Sequence, residues 1–133
     1  MTRTMDAPAT EEAGTPTLGE QLITSSAPGR DRAAVLALVE EGTILARDSV
    51  RRLLVVERET GPACHWEGLM GRLYGLGLDD IERAFLGLVM GMVGIGLHTL
   101  AAVEELDERR LLIVMRAMPV LANNERVAVG TRV

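Results

Sequence analysis

The chain has 133 residues, of which 47% are hydrophobic and only 2% aromatic, and a net charge of −5. That length and apolar content exclude a disordered polymer and predict one domain with a buried core. All fourteen basic residues are arginine, and the acidic balance leaves no dominant basic stripe, so a nucleic-acid partner is not expected. With Trp66, Tyr74 and Phe85 as the only rings, the core must come from Leu, Val, Ile, Ala and Met. Abundant Leu, Ala, Met, Glu and Arg favour helix. The arginine-only basic set matches a GC-rich coding bias of the kind common in bacteria.

In chain order, residues 1–29 read as a disordered or loosely docked tail, with Pro8 and Pro16 among small and polar residues. Within it, Thr17 and Glu20 have capping-box spacing and open a short helix with Leu18, Leu22 and Ile23 on one side. No apolar stretch occurs in 1–17, so no secretory signal is expected. Residues 30–122 read as the helical domain. A first long helix is predicted over 31–59, with Val35, Leu38, Gly42, Leu45, Ser49, Leu53 and Val56 in near-heptad spacing. Gly42 within that stripe marks a close-packing point or a kink.

Thr60-Gly61-Pro62 then reads as the end of one helix and the start of another over 63–76. Cys64, Gly68, Gly71 and Gly75 recur there at spacings of 4, 3 and 4, a helix-packing stripe of small residues. Asp79 and Glu82 cap a third helix predicted to reach residue 104. Asp107 caps a fourth, with Leu111, Met115 and Met118 turned inward and Pro119 near its end. Asn123-Asn124 is a turn, and 123–133 is a C-terminal extension. The expected fold is all-α: a small antiparallel bundle of about four helices.

The third helix carries the strongest signal. Residues 84–103 hold twenty residues without a charge. Ala84, Gly87, Gly91, Gly94, His98 and Ala101 recur at spacings of 3, 4, 3, 4 and 3, a second stripe of small residues with one histidine in it. A helix with no wet side must be covered. The first expectation is a homodimer or higher oligomer built on that stripe, because small residues let two backbones approach closely. One alternative is that the two small-residue stripes pack on each other within one chain; another is a single membrane span, since about twenty apolar residues suffice to cross a bilayer. The absence of flanking Trp or Tyr anchors and the four glycines argue against it.

Candidate chemistry is sparse. Cys64, His65 and Glu67 cluster, but their spacing matches no structural zinc site, and no metal or cofactor is expected. A helix start at Pro62 would place Cys64 near a helix N-terminus and lower its thiol pKa. A packing role is the plainer reading. A lone cysteine fits a reducing compartment and allows no internal disulfide. His98 is the one polar ring in the uncharged stretch. It is read as a structural histidine, with Glu104 and Glu105 too far along the same helix to serve as partners. The glycines make no phosphate loop, because Gly71, Gly75 and Gly77 lack the lysine and the strand-turn-helix setting.

These readings converge on a non-enzymatic, cytoplasmic helical protein that self-associates and mediates protein–protein contact. Second is the single-span membrane protein. Third is a small-ligand or metal-responsive regulator using His98, Cys64 and the methionines Met90, Met92, Met115 and Met118.

Overall fold

A computed structural model describes residues 14–96 and 98–132. Among these, five α-helices and one two-stranded hairpin are formed: α1 (Leu18–Ser25), α2 (Arg30–Glu41), α3 (Asp48–Leu54), β1 (Val55–Arg58), β2 (Gly61–Cys64), α4 (Asp80–Met92) and α5 (Glu108–Leu121). Short 3₁₀ segments fill the connections at Trp66–Leu69, Leu73–Gly75 and Leu100–Glu105. The described residues are thus mostly helical, as expected, with one small two-stranded sheet added.

Local capping explains the helix starts. Thr17 Oγ1 accepts from Glu20 N–H at 3.1 Å while Glu20 accepts from Thr17 N–H at 2.9 Å. The same reciprocal pair recurs at α4, where Asp79 accepts from Glu82 N–H at 2.8 Å and donates its own N–H to Glu82 at 3.1 Å. Asp107 caps α5 through Arg110 N–H at 3.0 Å. The break between the third and fourth predicted helices therefore stands. Asn123 has φ 57°, the left-handed conformation a turn asparagine tolerates.

The long helix over 31–59 is not formed. Gly42 has φ 80° and closes α2, so the glycine is a terminator rather than a packing point. The chain then turns through 43–47 into α3 and passes directly into β1. Thr60-Gly61-Pro62 joins two strands instead of two helices: Arg58 pairs with Gly61 and Val55 with Cys64 in antiparallel register. Gly61, at φ 107°, supplies the tight reversal. Pro62 is tolerated because each strand of a two-stranded sheet is an edge. No helix forms over 63–76.

The predicted stripe of Cys64, Gly68, Gly71 and Gly75 is dispersed as a result. Cys64 is a buried strand residue, and Gly68 sits in a 3₁₀ turn where a Cβ would overlap the Leu53 carbonyl oxygen. Gly71 and Gly75 are exposed with open space around them.

The core lies between α2, α4 and α5. Leu38, Phe85, Leu86, Val89 and Ile113 are fully buried there, joined by Leu22 from α1 and by Leu54 and Leu69 from the hairpin side. On α5 the inward residues are Ile113, Val114 and Ala117, whereas Met115 and Met118 are exposed and Leu111 is half-buried. The inward face is rotated from the predicted one because α5 packs chiefly on α2.

A buried carboxylate fastens the ends of these helices together. Glu41, the last residue of α2, has a wholly buried side chain. One of its oxygens takes two bonds from Arg110, at 2.8 and 3.1 Å, and another from the Thr43 hydroxyl. The other oxygen accepts from Ile44 N–H at 2.9 Å. Burial disfavours the Arg110 charge, but the hydrogen bond and charge of Glu41, with those of Asp107, outweigh it and raise the Arg110 pKa. Thr43 also lies 3.4 Å from Glu82, whose carboxylate takes Arg47 at 3.0 Å, so the α4 start joins the same network.

Candidate functional site

The uncharged stretch 84–103 does not remain helical. The α4 helix ends at Met92, and Gly94 and Gly96 follow at φ 84° and 78°. Two glycines in the left-handed region within three residues reverse the chain. The segment after them returns along α4, and the Leu100–Glu105 turn packs against it. The six predicted stripe residues therefore do not share one helix face. Ala84, Gly87 and Gly91 lie on α4. Gly94, His98 and Ala101 lie beyond its end, and Gly94 and Ala101 are exposed.

This reversal seats the His98 ring in a slot between two glycines. A Cβ on Gly87 would lie 2.9 Å from His98 Nδ1, and a Cβ on Gly96 would lie 2.6 Å from Nε2. Both glycines are needed for lack of a side chain, one on the helix face and one in the returning loop. The imidazole makes no hydrogen bond among the described residues.

His98 and Thr99 form a wall shared by two clefts. On one side is a polar cleft of about 510 Å³. Its apolar floor is Leu73, Ala84, Gly87 and Ala102, and its charged rim is Asp80, Arg83 and Glu105. Arg83 pairs with Asp80, donates to the Leu78 carbonyl at 3.2 Å and lies 4.4 Å from the centre of the exposed Tyr74 ring. Glu105 has no ion-pair partner among the described residues.

On the other side of His98 the surface is apolar. A cleft of about 210 Å³ is bounded by Leu88, Gly91, Met92, Leu100 and Leu121, and Met118 carries it over into a second groove of about 310 Å³. Met115 and Pro119 of α5, with Ala122 just past its end, line that groove together with Val127 and Val129 of the C-terminal segment. Along this surface Leu100 is 71%, Met115 43%, Met118 37% and Val127 54% exposed.

The alternative reading of Cys64, a thiol lowered by a helix N-terminus, does not hold. Cys64 lies in β2 rather than at the predicted helix start, and burial followed by the nearby Asp31 carboxylate pushes its thiol up to about 12, against a smaller lowering by Arg58. Such a thiol is inert at neutral pH rather than nucleophilic. His65 and Glu67 face each other at 3.6 Å on the surface without it. Among the described residues no three His, Cys, Asp or Glu side chains come close enough together to hold a metal ion. No helix among them is long and apolar enough to cross a membrane.

Nothing in the sequence singles out Asp80 and Arg83 as companions of His98, and helical spacing sets Glu105 too far away. On a continuous helix Glu105 would stand about 10 Å along the axis from His98. The signal that could have found it is Gly94-x-Gly96, a pair too flexible to sit in a helix interior without reason. Comparison of the chain with family models, curated proteins and solved structures finds no match.

Proposed function

We propose that this chain is a small non-enzymatic helical protein that self-associates through the apolar surface running from Gly91 and Leu100 over Met118 to Val127. The observation that supports this reading is the continuity of that surface: Met118 belongs to both of its grooves. Exposed methionines beside a glycine make an adaptable contact, because thioethers fill irregular gaps and a bare backbone lets a partner come close. The dimerisation stripe expected from sequence is thus narrowed to Gly91 and His98, with neighbouring apolar residues of α4, Leu100 and α5 supplying the rest. A cytoplasmic setting belongs to the same reading and is supported by the lone buried thiol.

Sedimentation equilibrium tests it. The wild-type chain should run at a multiple of 14.3 kDa. Gly91→Arg and Met118→Asp should each reduce the mass toward that value. Neither substitution disturbs the core, because Gly91 has nothing within 4 Å of a Cβ position and Met118 is exposed. A wild-type chain that stays monomeric at every concentration overturns the proposal.

A further inference from the structure

We propose that the polar cleft beside His98 binds a small organic ammonium compound with an apolar body. The cleft has the size of a small-molecule site, which typically spans about 300–1,000 Å³. Its chemistry selects the charge of the occupant. The one cation on its rim, Arg83, is already engaged: its guanidinium is shared among Asp80, the Leu78 carbonyl and the Tyr74 ring. Of the two carboxylates, Asp80 is neutralised by Arg83, and Glu105 is left without an ion partner among the described residues. An anion entering the cleft would meet Glu105 and find no free guanidinium fork. A cation meets one uncompensated carboxylate.

The remaining lining selects the rest of the molecule. The half-buried His98 ring, which makes no hydrogen bond among the described residues, can exchange one with an N–H donor, and Leu73, Ala84, Gly87 and Ala102 offer hydrocarbon to a hydrocarbon. A bare metal ion is a poorer match, since no three suitable ligands converge among the described residues. An ammonium group on an apolar body engages carboxylate, imidazole and floor together. Its charge lies toward Glu105 and its hydrocarbon toward Ala84 and Ala102.

The test is a pair of charge-swapped isosteres, phenethylamine and phenylacetate, titrated into the full chain at neutral pH and followed by amide chemical shifts. Phenethylamine should move the signals of Gly87, Thr99 and Ala102 saturably, and phenylacetate should not. Glu105→Gln, an exposed change that leaves the fold intact, should weaken phenethylamine about tenfold, the effect of losing a charge-assisted hydrogen bond. Ala102→Leu should abolish the shifts by filling the floor. Equal or tighter binding of phenylacetate, no saturable shift with phenethylamine, or unchanged affinity in Glu105→Gln each overturns the proposal. Because the readout is local, it is independent of whether the chain self-associates.

Discussion

Around Glu41 the fold gathers Arg110, the Thr43 hydroxyl and the Ile44 amide onto a carboxylate that water does not reach. Around His98 it gathers a similar variety of polar groups, and the ring makes no hydrogen bond among the described residues. Solvent access accounts for the difference. A buried charge must be paired or the chain does not fold, so the Glu41 partners are dictated by stability. Polar groups on an open cleft keep their water, and folding alone does not require them to meet. Dense polar bonding therefore identifies the part of this molecule that holds it together. Sparse polar bonding beside an apolar floor identifies the part with capacity to spare.

The contrast can be broken most forcefully at the carboxylate itself. Glu41→Ala leaves the Arg110 guanidinium facing a void and should lower the unfolding free energy by about 3–5 kcal/mol in urea titration. His98→Ala should cost less than about 1 kcal/mol, because no hydrogen bond is lost and the ring is only half-buried. Equal losses would show that the histidine is as structural as the glutamate. A finer comparison uses the two threonines. Thr43→Val removes a donor to Glu41 and should cost about 1–2 kcal/mol, whereas Thr99→Val, on the cleft wall, should fall within about 0.5 kcal/mol of wild type.

Cys64 calibrates burial away from both regions. Its thiol is held at about 12 in the folded chain, above its ordinary 9.0. The stabilisation from this neutral thiol is complete below about pH 9 and is lost as pH rises toward 12, because the unfolded chain ionises first. Near pH 10 the loss should be about 1 kcal/mol, absent in Cys64→Ala. At pH near 8 a disulfide reagent should label the thiol only after denaturant is added.

What was legible in the sequence was local. Thr17 with Glu20, Asp79 with Glu82, and Asp107 each bond within a single turn, so spacing alone locates them. The hairpin was not legible. Val55 and Val56 continue the helical spacing of the residues before them, and Gly61 serves a strand reversal as readily as a helix end. The sequence does not state which use applies, because the decision rests on Cys64 and Trp66 packing into the core far from their chain neighbours. Arg110 and Glu41 stand 69 positions apart, and no periodicity announces such a pair. The candidate site failed for the opposite reason. Gly87, Gly91, Gly94 and His98 fit a helix so well that the alternative use of Gly94 and Gly96, as a reversal, was hidden by a regular pattern.

The slot that holds His98 also constrains how this chain can change over generations. With the ring in place, a side chain at residue 87 or 96 collides with it. If the ring is lost first, position 87 becomes open to alanine, while position 96 still favours glycine through its backbone angle of 78°. The order of substitution therefore decides which sequences are reachable. Descendants that keep the histidine should keep both glycines, and those that lose it should drift at position 87 before position 96.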